Sequence, residues 1–255
     1  MNKIMFSIIT TCGIMLSGCC FQCEKADDRE FNDPIDRLLY KDGTRYDVAN
    51  YLLENPDYSN DYDMESSHDI RYHSIQSQDG KLRIYSIFEG CDEYGAYYFS
   101  NIAHYENTDS LMSVKCDLDF NKRIHKIGIK KTPSKKYYLF VSQDSAFHKG
   151  DSFVYYSINV YSIDKDGLML KPDFVFKTKD GRILHSIDVE WNDIGWRYSD
   201  IDGQWGITMD SETSTNKIYI QLVDEFGRAQ NEAMVYQWDG RYFTYKQREP
   251  AYFKD

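Results

Sequence analysis

From Asp69 onward, apolar and polar positions alternate with period two in short runs dense in Tyr, Ile, Val and Phe. The dipeptides Asp79-Gly80, Asp166-Gly167, Asp180-Gly181 and Asp239-Gly240 punctuate those runs. Alternation at this period puts successive side chains on opposite faces of a strand, and Asp-Gly between two such runs is a strong hairpin signal. No stretch after Asp69 keeps helical periodicity for more than two turns. The pattern predicts a mainly β unit over residues 69–255, joined largely by hairpins.

Residues 33–68 read differently. Asp33-Pro34 supplies an N-cap and a first-turn proline, Ile35, Leu38 and Leu39 share a face, and Gly43 closes the C-terminus. Thr44 with Asp47 has the spacing of a capping box and opens a second helix through Val48, Tyr51, Leu52 and Leu53, stopped before Pro56. These helices are expected to cap an exposed sheet edge. Asp57 to Asp69 is acidic, lacks periodicity and reads as a loop.

A weak internal repeat organises the β unit. Arg83-Ile84-Tyr85, Lys136-Tyr137-Tyr138 and Lys217-Ile218-Tyr219 each open a β run. Each is followed by a run centred on Tyr105, Tyr161 or Tyr236, and then by one starting near Leu111, Leu168 or Tyr242. An earlier strand precedes each motif, at Ile70 to Ile75, Ile124 to Lys130 and Trp205 to Met209. Three antiparallel four-stranded meanders follow. Such meanders in series are propeller-like, because radial repetition shields sheet edges; a β-sandwich is the alternative. The surplus from Asp173 to Gln204, with its own Asp180-Gly181 hairpin and the strand Ile183 to Trp191, belongs to a fourth blade or to a long insertion.

The N-terminal segment has one early cation, Lys3, a mostly apolar run from Ile4 to Leu16, and then Ser17-Gly18-Cys19. This resembles a secretory signal ending in the lipobox Leu16-Ser17-Gly18-Cys19 of bacterial lipoproteins. The resemblance implies removal of residues 1–18, lipidation of Cys19, and a flexible stalk over residues 19–32. The apolar run is shorter than the ~20 residues of a spanning helix, whereas two or more acyl chains anchor firmly. With its acidic stalk (Glu24, Asp27, Asp28) and aromatic-rich β unit, the chain is similar in style to secreted lipoproteins of anaerobic Gram-negative bacteria. That implies a cell-envelope location, at the outer membrane on the periplasmic face or the cell surface.

The chain of 255 residues carries 30 Lys and Arg against 41 Asp and Glu, for a net charge of −11. This balance argues against nucleic acid or an anionic lipid surface as partner. Cys20 and Cys23 form a CxxC in the stalk, without the strand and helix that a thioredoxin-like site needs. In an oxidising compartment Cys91 and Cys116 are either bridged or ordinary buried thiols.

Candidate chemistry concentrates in one stretch. Asp188, Glu190 and Asp193 surround Trp191, followed by Trp196, Tyr198 and Trp205. Paired carboxylates beside aromatic platforms suit glycoside hydrolysis, one protonating the leaving oxygen and one acting as nucleophile or base. The same aromatics, Trp191, Trp196, Tyr198 and Trp205, suit stacking on a ligand without catalysis. Asp200 and Asp202 in a DxDG pattern, like Asp164 and Asp166, bring hard oxygens to one side of a tight loop as Ca²⁺ requires, without the full EF-hand spacing. The six histidines have no zinc-ligand spacing, and no phosphate loop or nucleophile elbow is present. The sequence therefore leads to a lipid-anchored, non-enzymatic binding or scaffold module for a glycan or an envelope protein. A carbohydrate-active hydrolase is the alternative, and neither reading calls for a cofactor.

Overall fold

The computed structural model describes residues 33–59, 72–91, 97–116, 118, 122–148, 151–171, 174, 176–191, 207–210, 214–223 and 229–250. Two helices come first, α1 (Pro34–Tyr40) and α2 (Arg45–Glu54). Asp33 caps α1, its Oδ1 accepting the N–H groups of Ile35 and Asp36 at 2.9 Å each while its Oδ2 accepts the Tyr58 hydroxyl. At the other end the left-handed residue is Asp42, at φ 62°. Gly43 donates its N–H to the Leu38 carbonyl at 2.9 Å, and a Cβ there would lie 2.5 Å from that oxygen. Close approach, not backbone sign, is thus what selects glycine at 43. The Asp47 carboxylate takes both the N–H and the hydroxyl of Thr44, at 2.7 and 2.8 Å, and fixes the start of α2.

The first sheet is a meander of β1 (Tyr72–Gln76), β2 (Leu82–Cys91), β3 (Tyr97–Glu106) and β4 (Met112–Lys115). The second contains the meander β5 (Arg123–Lys131), β6 (Lys136–His148), β7 (Asp151–Asp164) and β8 (Gly167–Leu170). The short strands β9 (Phe176–Lys177), β10 (Ile183–Leu184) and β11 (Ile187–Trp191) precede the third meander, β12 (Ile207–Met209), β13 (Lys217–Val223), β14 (Ala229–Trp238) and β15 (Phe243–Pro250). All three repeats are realised in antiparallel pairing, and the four Asp-Gly turns carry glycines at positive φ. Among the described residues the surplus segment builds no fourth meander. The β9–β10 hairpin extends the third sheet through parallel pairing of β9 with β15, whereas β11 pairs antiparallel with β7, along the edge that also carries β8.

The sheets stack face to face, and the middle one is buried on both sides. In β6, Tyr138, Leu139, Phe140 and Val141 are all at most 2% exposed. Tyr138 and Phe140 join Ile127, Ile129, Tyr161 and Leu168 against Leu82, Ile84, Ala103 and Tyr105 of the first sheet. Leu139 and Val141 turn the other way and join Ile158, Val160 and Ile187 against Phe176, Ile218, Ile220, Tyr236 and Phe243 of the third. On the far side of the first sheet, Ile35, Leu39, Val48, Ala49 and Leu52 of the helices cover Tyr72, Tyr85, Ile87 and Ile102. The order is helices, first, second and third sheet, one sheet more than a sandwich has. The helices cover a face and not the expected edge, because their apolar stripe matches the apolar rows of β1 to β3.

Polar contacts align the layers. Lys136 Nζ reaches Asp79 Oδ2 in the β1–β2 turn at 2.7 Å, Leu168 N donates to Tyr105 Oη at 3.3 Å, and Thr215 N donates to the Ile129 carbonyl at 2.6 Å. The β1–β2, β5–β6, β7–β8, β12–β13 and β14–β15 turns therefore share one end of the stack, and the long hairpins β2–β3, β6–β7 and β13–β14 end at the other, while the β9–β10 turn points away from the first set because β9 runs parallel to β15. Lys130 is buried between the second and third sheets, its Nζ 2.6 Å from Asn216 Oδ1 and 5.0 Å above the Trp238 ring. Cys91 pairs with Tyr97, whereas Cys116 follows the Lys115–Ala103 pair. That places them roughly 17 Å apart along the strands, well beyond the ~7 Å Cα separation that a disulfide tolerates.

The geometry at the end of α1 yields a direct check. Gly43→Ala is expected to lower stability by about 1–3 kcal/mol in urea unfolding. Asp42→Gly, which relieves a left-handed non-glycine residue, is expected to leave it unchanged or raised by up to about 1 kcal/mol. Equal effects of the two substitutions would contradict this geometry.

Candidate functional site

Of the candidate catalytic and ligand-binding residues around Trp191, Asp188 is the one whose side chain is described. It is exposed, stands opposite Ser157 in the β11–β7 pairing, and accepts the Ser186 hydroxyl at 2.6 Å. Glu190 and Trp191 lie in β11, opposite Tyr155 and Val154, with side chains outside the described residues. Asp193, Trp196, Tyr198, Asp200, Asp202 and Trp205 lie outside them altogether, as does Cys19. β11 ends at Trp191 beside the start of β7, and β12 begins at Ile207 opposite Ile220. Both ends of the connection between them therefore belong to the long-hairpin end of the stack. Phe88, Tyr97 and Tyr98 expose apolar rings at that same end, with the Phe88 and Tyr97 rings packed edge to face at 5.6 Å.

The carboxylates at the short-turn end are engaged in holding turns. Asp239 accepts the N–H groups of Tyr242 and Arg241 at 2.8 and 2.9 Å and the Thr244 hydroxyl at 2.8 Å. The Tyr242 N–H contributes most to holding it down to about 2. Burial disfavours ionised Asp79, but Lys136, the Ser77 hydroxyl and the Lys81 N–H outweigh it and keep its pKa below the usual range. Asp164, in the DxDG pattern, accepts Lys171 at 2.8 Å and the Asp166 N–H at 3.1 Å. Lysine and a turn N–H thus occupy the Asp164 carboxylate, whereas Asp200 and Asp202, the Ca²⁺ candidates, lie outside the described residues. Among the described residues no three His, Cys, Asp or Glu side chains converge as a metal site.

Stacking creates one constellation that the sequence reading missed. β5, reading RIHKIGIKK, is an edge strand of the second sheet and lies against β1, an edge strand of the first. The β5–β6 register shifts between Ile124 and Lys126, so His125 is an extra residue at a bulge. Ser86 of β2, paired with His73 across β1–β2, accepts the Ile124 N–H at 3.1 Å and ties β2 to β5 beside it. Arg123, Lys126 and His73 all lie within electrostatic reach of His125. Burial, then the charges of Arg123, Lys126 and His73, depress the His125 pKa to about 4. Histidine spacing along the chain carries no trace of this, since β1 and β5 meet only through packing; the density of cations in β5 of an acidic chain was the available signal.

Compared with protein-family models, curated proteins and solved structures, the chain matches none.

The His125 environment sets an acid limit on stability. An unfolded histidine titrates near 6.5, so between about pH 6.5 and 4 the unfolded chain binds the extra proton. Stability is therefore full above that window and declines as pH falls through it, by roughly 3 kcal/mol from this residue. Urea unfolding across this range in non-coordinating buffers is expected to show that slope, and His125→Gln to flatten it. An unchanged slope in the variant would assign the acid sensitivity elsewhere.

Proposed function

We propose that the chain is an exported lipoprotein of the bacterial cell envelope, anchored through lipidated Cys19, whose β unit is a non-enzymatic binding or scaffold module. The observation that carries this reading is the sequence Leu16-Ser17-Gly18-Cys19 behind a short apolar run opened by Lys3. No helix among the described residues is long and apolar enough to cross a membrane.

The binding face is the long-hairpin end of the stack. Exposed Phe88, Tyr97 and Tyr98 supply aromatic surface there, and the connection carrying Trp196, Tyr198 and Trp205 leaves from Trp191 at the same end. Aromatic faces with polar neighbours suit a glycan or a partner protein. Of the carboxylates of the hydrolase alternative, Asp188 is solvent-exposed on an edge strand, and the side chains of Glu190 and Asp193 lie outside the described residues.

Expression of the full chain in a Gram-negative host supplied with labelled fatty acid tests the anchor. The wild type is expected in the membrane fraction carrying label, and Cys19→Ala is expected to be unlabelled and released from the membrane. Retention of Cys19→Ala in the membrane pellet, or a wild type without label, would refute the lipoprotein reading.

A further inference from the structure

We propose that two copies of the chain pair through the free edge of β4, about a two-fold axis at Ser113, and enclose an apolar stripe of α2, β4 and β8 between them. The proposal goes beyond the scaffold reading, uses a different surface and does not rest on it.

One lateral side of the stack carries this stripe. Lys115 Nζ donates to the Leu168 carbonyl at 2.9 Å, so β4 lies beside β8, and α2 packs over β4. Tyr51 turns one flank of α2 toward Tyr58, whose hydroxyl meets that of Tyr72 in β1. Tyr46 and Leu53, seven positions apart, share the opposite flank, on the β4 side. Together with Leu111, Met112, Met169 and Leu170 they are 37–63% exposed. Apart from Ile183 of β10 and the three rings at the long-hairpin end, no other large apolar side chain among the described residues is as exposed. At about 200 Å² for each large side chain, the stripe presents on the order of 500 Å² of apolar surface. One side of a homodimer interface of ordinary size contains about that much.

The edge of β4 complements itself. Glu106 N donates to the Lys81 carbonyl at 2.9 Å and Asn107 N to the Leu111 carbonyl at 2.8 Å. Bonding alternates along an antiparallel ladder, so Tyr105 and Ala103 bond β4 through Ser113 and Lys115. The N–H and C=O groups of Met112 and Val114 therefore point outward, with no strand beyond them among the described residues. β4 has no proline or bulge to guard this edge, and its lysine is spent on Leu168. The edge of β5, across the stack, is closed instead: Ser86 Oγ takes the Ile124 N–H, Ser214 Oγ takes the Lys131 N–H, and Thr215 N donates to the Ile129 carbonyl. A second β4 running antiparallel about Ser113 sets Met112 opposite Val114 of the other copy and uses every outward group of both strands. It also gathers Met112 and Val114 of both copies on the helix-bearing face, where Val114 already packs. A lone peptide strand would use the backbone groups but leave the exposed side chains of α2 and β8 uncovered; a second copy covers both.

Sedimentation equilibrium of the full-length chain under reducing conditions tests the dimer. A dissociation constant of about 10 µM or tighter is expected. Because each copy carries a net charge of −11, added salt is expected to tighten association by screening repulsion. Met112→Lys is expected to weaken it at least about tenfold, whereas Ile183→Lys, outside the stripe, is expected to leave it unchanged. Ser113→Cys tests the axis: Cα atoms of a non-hydrogen-bonded pair lie ~4.5 Å apart, within disulfide reach. Oxidation of this variant is expected to give covalent dimer well above the wild-type background. Exchange of the Met112 and Val114 amides is expected to slow with protein concentration yet to stay ahead of the β6 and β7 core, because dissociation frees β4 without unfolding. A monomer at every concentration up to about 100 µM, undiminished association of Met112→Lys, or no excess of covalent dimer in Ser113→Cys would each overturn the proposal.

Discussion

The structure depends on the two-sided burial of its middle sheet. Strands β5 to β7 send alternate side chains to opposite partners, so Tyr138 and Phe140 pack on the first sheet while Leu139 and Val141 pack on the third. Each β6 residue in this run therefore contributes to one of two cores, and truncating an aromatic here is worth about 3–5 kcal/mol on general grounds. Register is correspondingly rigid: a one-residue slip would exchange the two sets and leave both interfaces mismatched. The outer layers follow from this constraint: the third sheet turns Ile218, Ile220, Tyr236 and Phe243 to the middle sheet, and the first sheet is apolar on both faces, toward the middle sheet and toward the helices.

Much of this was legible along the chain, for local reasons. Asp33-Pro34, the Thr44 and Asp47 pair and the Asp-Gly turns act through hydrogen bonds spanning a few residues, and all of them form where the pattern puts them. The three meanders follow from hairpin connection alone. Non-local choices were not legible. Parallel pairing of β9 with β15 and the addition of β11 to β7 divide the surplus segment between two sheets, and neither pairing leaves a turn signature. The helices offered the same stripe to an edge or a face, and the apolar row of Tyr72, Tyr85, Ile87 and Ile102 decides for the face.

Function was less legible than fold because the two kinds of site signal differ in reach. Carboxylate patterns such as Asp164-Lys165-Asp166-Gly167 look like chemistry in one dimension, yet in the fold Asp164 is taken by Lys171 and the Asp166 N–H. The cationic seam at β1 and β5 shows the opposite case. Net charge spoke against large polyanionic partners, and that inference concerns long-range fields; it is silent about a few cations gathered at one inter-sheet edge. Packing, which brings His73 beside a strand about fifty positions away, is what gathers them.

Hydrogen exchange on the full-length chain tests the two-sided middle sheet most directly. Backbone amides of β6 and β7 around Tyr138 to Val141 and Ser157 to Tyr161 are predicted to exchange last, through global unfolding, while the edge strands β4 and β10 open locally and exchange early. Exchange of the β6 and β7 core as fast as that of β4 and β10 would contradict the stacked arrangement.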